Sequence, residues 1–173
     1  EIADRMSVLL RRLPQFSVDA LLLLDMKNIR YLTGFTGSDG ALFIGRDRRA
    51  LLVDGRYITQ AREETSDIDV LEYRDKIEGI RKVLAGHQPL TGGFEGTAMT
   101  VDVHLRLKDT TGQVRLTPLP EEMQALRAVK SATEIEKIGT AAAIAARALD
   151  SVLAHLRTGM KERDIAADLD AAM

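Results

Sequence analysis

Ala41-Leu42-Phe43-Ile44-Gly45-Arg46-Asp47-Arg48-Arg49-Ala50-Leu51-Leu52-Val53-Asp54-Gly55-Arg56-Tyr57 sets the architecture. Two short apolar runs, 41–44 and 50–53, flank a polar, glycine-led turn, which is the pattern of a β-hairpin. Strands and helices alternate around this hairpin up to about Leu119, so it belongs to an α/β domain of roughly 120 residues.

Reading upstream, Val18 to Leu24 is another buried strand, closed by Asp25. Before it, Ile2, Met6, Leu9, Leu10 and Leu13 recur at helical spacing, and Pro14 stops that helix. Downstream, Arg56 to Glu64 reads as a helix, Val70 to Tyr73 as a strand, and Ile77, Ile80, Val83 and Leu84 as the face of a further helix. Thr91 to Gly96 fits either a glycine-edged strand or a loop. Val101 to Leu107 alternates at period two, yet its Val101/Leu105 spacing and its flanks favour a helix. Val114 to Thr117 reads as a strand ended by Pro118 and Pro120. Ser131-Ala132-Thr133-Glu134 then has the form of a capping box, followed by an apolar stripe from Ile135 to Leu156, Gly159 as an end signal, and a last helix from about Lys161. Strands and helices alternate to about Leu119 and only helices follow.

Composition narrows the function classes. The 173 residues carry 24 basic and 26 acidic side chains, a net charge of -2, and no basic arm, which argues against a nucleic-acid partner. Cysteine is absent, excluding disulfides, thiolate metal sites and a cysteine nucleophile. The longest apolar run, Ala20 to Leu24, is far below the roughly 20 residues that span a bilayer. With no signal-peptide pattern at the start, a cytoplasmic location is expected. The start lacks an initiator Met and the end falls inside a helical pattern, so the sequence reads as trimmed.

Few residues carry chemistry. His87, His104 and His155 are scattered, with no partner at metal-ligand spacing. Gly34, Gly37 and Gly40 precede a strand, the wrong order for a dinucleotide fingerprint, and read as a flexible loop with positive-φ positions or as a loop approaching a ligand. Asp25 and Asp54 each follow a strand, and Glu95 does so where 91–96 is read as a strand. They read either as turn and cap residues or as carboxylates that hold a divalent ion. Asp54-Gly55-Arg56-Tyr57 is the most distinctive tetrapeptide and by itself is a turn opening a helix.

The order of motifs adds to this. Asn28-Ile29-Arg30-Tyr31-Leu32-Thr33-Gly34-Phe35-Thr36-Gly37-Ser38 precedes the hairpin; Asp54 to Tyr57 with Gln60-Ala61 follows it; Leu126-Arg127, Lys130-Ser131, Glu134-Ile135 and Ile138 come later. This series resembles the N-terminal domain of the creatinase/prolidase/aminopeptidase P group of pita-bread metallopeptidases, closest to Xaa-Pro dipeptidases and Xaa-Pro aminopeptidases, over essentially the whole chain. The resemblance implies a mixed sheet flanked by helices, with a ribonuclease-H-like outline, over residues 1–125. Residues 126–173 would be the first helices of a truncated pita-bread domain.

In such relatives two divalent metals (Mn, Co or Zn), held by two Asp, one His and two Glu, hydrolyse the bond before proline. No residue here matches those ligands, so this chain is expected to bind no catalytic metal and to be inactive alone. The resemblance also implies a homodimer, a peptide substrate for the whole enzyme, and a pocket-rim role for the loop Thr33–Gly40. Asp39, Arg56 and Tyr57 are the candidate rim residues, with Tyr57 favoured as packing. The alternatives on the same scaffold are a non-catalytic protein-interaction module and a creatinase-like C–N hydrolase.

Overall fold

The computed structural model describes residues 2–86, 90–108, 114–119 and 125–173. They form two compact units, Glu1–Arg127 and Ala128–Met173.

The first unit runs α1 (Ile2–Arg12), a 3-10 turn (Leu13–Phe16), β1 (Ala20–Leu23), α2 (Met26–Thr33), β2 (Ala41–Gly45), β3 (Arg49–Asp54), α3 (Ile58–Glu64), β4 (Asp69–Tyr73), α4 (Lys76–Ala85), β5 (Leu90–Phe94), α5 (Val101–Lys108) and β6 (Val114–Pro118). The six strands lie in the order β4-β3-β2-β1-β5-β6. β2 is antiparallel to β1 and β3, while β1 with β5, β5 with β6, and β3 with β4 are parallel. The sheet is therefore mixed, and the 41–54 hairpin forms with Phe43 opposite Ala50. His87 and Pro120 lie outside the described residues.

Period-two geometry sorts the continuous apolar runs onto two faces. Leu21, Leu23, Leu42, Ile44, Leu51 and Val53 meet Met6 and Leu9 of α1, Ile29 and Leu32 of α2, and Ala61 of α3. Ala20, Leu22, Ala41, Phe43, Ala50 and Leu52 meet Ile77, Ile80, Val83 and Leu84 of α4 and Leu107 of α5. The result is a three-layer α/β/α unit. The two segments that the sequence left open resolve as strand β5 and helix α5, the latter burying Leu107 against α4's face of the sheet.

Two features differ from the sequence reading. Residues 26–33 form a helix that the apolar pattern alone did not mark. Asp25 caps it by accepting from the Lys27 amide, and Gly34, at φ 82°, closes it with its own amide on the Arg30 carbonyl. The stripe that continues to Leu156 also outlasts its helix. In the second unit α6 (Ala132–Leu153) gives way to tighter i→i−3 bonds at His155 and Leu156 before Gly159 turns left-handed, and α7 (Glu162–Ala172) follows. The capping box forms in full: the Ser131 hydroxyl accepts from the Glu134 amide, and the Glu134 carboxylate accepts from the Ser131 amide.

Leu51 is fully buried between α1, α2 and the sheet. Leu51→Ala is expected to cost about 2–5 kcal/mol, and Ser131→Ala about 1 kcal/mol of helix stability. Urea denaturation, followed by circular dichroism, checks both.

Candidate functional site

The strand register gathers one end of the sheet. Leu23 pairs with Leu42 at the end of β1 and the start of β2, Asp54 with Tyr73 at the ends of β3 and β4, and Leu22 with Phe94 at the end of β5. Asp25, the 34–40 loop, Asp54 to Tyr57, Tyr73 to Lys76 and Glu95 therefore all leave the sheet at this end. All three candidate rim residues lie here.

The 34–40 loop is held at three points. Thr36 donates its amide and its hydroxyl to Glu64 at 2.7 and 2.6 Å, and Gln60 Nε2 reaches both Thr36 Oγ1 and Glu64. These bonds, led by the Thr36 hydroxyl, hold the Glu64 carboxyl below its usual range. Ser38 Oγ lies 2.6 Å from the Tyr57 hydroxyl. Asp39 accepts from the Tyr73 hydroxyl at 2.6 Å and from Lys76 Nζ at 2.7 Å. Beneath the loop, Phe35 is fully buried and meets Tyr57 edge-on at 5.9 Å. A side chain at Gly37 would run into the Phe35 ring, so that glycine serves close approach rather than positive φ. The loop expected to be flexible is thus strapped to α3, β4 and α4.

Asp39 is a structural partner as well as a rim candidate. Partial burial pushes its carboxyl up, but the bonds from Lys76 and Tyr73, the Lys76 charge and the Gly40 amide outweigh it and hold the group below 3.8. Burial first, and then the ionised Asp39, push the Tyr73 phenol well above its ordinary value. Nothing local in the sequence marks this trio, since Tyr73 and Lys76 stand 34 and 37 residues from Asp39.

Arg56 folds back on Asp54, with Nη2 at 2.7 Å from Oδ2 and Nε at 3.1 Å, while its backbone amide donates to Oδ1. The side-chain bond from Arg56 is the main reason the Asp54 carboxyl lies below its usual range. The Arg56 side chain remains 72% exposed, and its guanidinium carbon sits 5.3 Å from the Tyr57 ring centre. Tyr57 packs its ring on the core and leaves its hydroxyl on Ser38. This end of the sheet thus presents an exposed guanidinium, a lysine and two phenols among carboxylates. Such groups can bind and orient a polar chain by hydrogen bonds and charge.

The three strand-end carboxylates do not converge. Asp25 caps α2, Asp54 holds Arg56, and Glu95, only 2% exposed, accepts from the Leu24 and Asp25 amides and from Asn28. Among the described residues no group of three histidine or carboxylate side chains is placed to hold a metal ion. The donor set does not fit the dinuclear centre that the family resemblance implies for a whole enzyme.

Comparison with known proteins places this geometry. The family model for the creatinase/prolidase N-terminal domain matches residues 5–129. The chain belongs to that family. It is 30% identical over 169 residues to the uncharacterized peptidase YqhT of Bacillus subtilis, covering 92% of this chain and 45% of that protein. It is 25% identical to the Xaa-Pro dipeptidase of Pyrococcus furiosus, over 98% of this chain and 48% of that one. Among solved structures, the X-Pro aminopeptidase of Thermotoga maritima superposes with a TM-score of 0.79 at 31% identity, over 90% of this chain and 46% of that one. The chain thus spans about half the length of these relatives. No helix among the described residues is long and apolar enough to cross a membrane.

Tyr73→Phe removes one donor from Asp39 and is expected to cost about 1 kcal/mol at pH 7, a value kept low because the carboxylate is partly solvated. Since the folded chain holds Asp39 below 3.8, this contribution is present above that pH and is lost as pH falls through the lower, folded value. Urea titrations at neutral and acid pH should show the gap between wild type and variant closing in acid. A gap that stays constant would mean that ionised Asp39 is not what Tyr73 serves.

Proposed function

We propose that this chain is the N-terminal portion of an Xaa-Pro metallopeptidase, with residues 1–125 as the creatinase/prolidase-type domain and residues 126–173 as the first helices of the catalytic domain. The observation that carries the reading is the family match over residues 5–129, together with relatives named Xaa-Pro dipeptidase and X-Pro aminopeptidase that extend well past the region they share with this chain. The hydrolytic centre, with two divalent ions (Mn, Co or Zn), then belongs to the rest of the protein. No step of the hydrolysis is derived from the residues described above.

The domain's part in this reading is to shape the pocket and to contribute to a cytoplasmic homodimer. The end of the sheet that carries Asp39, Arg56 and Tyr57 supports the first role, because a strapped loop and an exposed guanidinium make a fixed polar rim. Exposed Ile135, Ile138, Leu149 and Leu153 on α6 support a further protein surface over that helix.

The test is a substrate panel. The 173-residue chain with Mn²⁺ is expected to leave Xaa-Pro dipeptides and longer Xaa-Pro peptides intact, and its melting curve should not move with chelator. The protein encoded by the complete reading frame should cleave one of those classes in a metal-dependent way. Cleavage of creatine instead, or of none of them by the complete metal-loaded protein, would overturn the reading. Arg56→Ala in the complete protein is expected to raise KM by about tenfold or more with folding unchanged, measured by steady-state kinetics.

A further inference from the structure

Three sequence motifs that the proposed function leaves unused meet at one buried point. Glu95, from the end of β5, is 2% exposed, and Asn28, from the first turn of α2, is 4% exposed. Glu95 Oε2 accepts the Leu24 and Asp25 amides at 2.6 and 2.7 Å. Glu95 Oε1 accepts Asn28 Nδ2 at 2.6 Å, and Asn28 Oδ1 accepts Arg127 Nε at 2.6 Å. Arg127 is the last residue of the first unit.

Every donor in this chain points toward the carboxylate. An ionised carboxylate can only accept, so it fixes the Asn28 amide with Nδ2 inward and Oδ1 outward. The outward oxygen is what Arg127, a permanent donor, requires. Neutral Glu95 reverses the order. Its proton cannot sit on Oε2, which already faces two backbone donors, so it sits on Oε1 and points at Asn28. Asn28 must then turn its oxygen inward and its NH₂ outward, and two donors face each other at Arg127.

We propose that Glu95, Asn28 and Arg127 form a proton-linked latch, in which the charge on Glu95 sets the orientation of the Asn28 amide and thereby holds or releases Arg127. The trigger is a proton, and the element that moves is the segment ending the first unit. The inference concerns these three residues and stands independently of the peptidase reading.

The surroundings favour the neutral form of the carboxyl. Burial raises the Glu95 carboxyl above its ordinary 4.5 and the nearby Asp25 charge adds to that, while the bonds from Asn28 and from the Asp25 and Leu24 amides oppose it. Among the described residues, the charged groups that the structure places around it are Asp25 at the α2 cap and Arg127 beyond Asn28.

The test follows the isotope-labelled 173-residue chain by NMR between about pH 7.5 and pH 4. The Glu95 carboxyl carbon, the Asn28 side-chain amide and Arg127 Nε–H are expected to change with one midpoint. Solvent exchange of Arg127 Nε–H, relative to that of exposed Arg11, should rise about tenfold or more on the acid side. Coupling is reciprocal, so Arg127→Ala should move the Glu95 midpoint upward. Glu95→Gln, which offers the neutral pattern permanently, should leave Arg127 Nε–H unprotected at every pH. If that variant does not fold, the wild-type titration decides alone. Arg127 protection unchanged through the Glu95 transition, a midpoint indifferent to Arg127→Ala, or a Glu95 still ionised at the acid limit would each overturn the latch.

Discussion

Burial of β1, β2 and β3 on both faces is the constraint on which everything else rests. Their side chains leave no room on either surface of the sheet for a polar group, since Ala20 to Leu23, Ala41 to Ile44 and Ala50 to Val53 are all excluded from water. Chemistry is therefore pushed to the strand ends, where the backbone leaves the ladder and free amides need acceptors. That is why the residues that distinguish this chain, from Asn28 through Asp39 and Arg56 to Glu95, lie at one rim of the sheet.

At that rim the physics is one of satisfaction rather than reactivity. Each carboxylate is committed to particular donors: Asp25 to a helix cap, Asp39 to Tyr73 and Lys76, Asp54 to Arg56, Glu64 to the 34–40 loop, Glu95 to two amides and an asparagine. Such commitment makes the rim stiff. A stiff, polar, partly cationic edge fits a domain that presents a shape to a neighbouring catalytic centre, which is the role proposed for it.

Much of the architecture was legible because the hydrophobic pattern has the right period. The hairpin, β1, β4 and the faces of α1 and α4 follow from residue spacing, and the capping box at Ser131 announced α6 from four residues. Helix α2 was harder, because its signals are the Asp25 cap and the Gly34 terminus, with Ile29 and Leu32 as its fully buried apolar residues inside a motif that reads as polar. The loop's rigidity was not legible at all. It depends on pairs such as Asp39 with Tyr73 and Thr36 with Glu64, which only the register of β3 against β4 and the placing of α3 bring together. For the same reason the sequence could name Asp39, Arg56 and Tyr57 but not the neighbours that fix them.

The strands that terminate the sheet carry a further consequence. β4 ends one side with exposed Asp69, ion-paired to Arg48, and with exposed Glu72, while β6 ends the other with exposed Arg115 and with Pro118, which has no amide hydrogen to offer. Charge and proline at such borders discourage a foreign strand from docking. The sheet is therefore guarded against growth by addition, and association through this unit is left to its helices and loops rather than to backbone zippering.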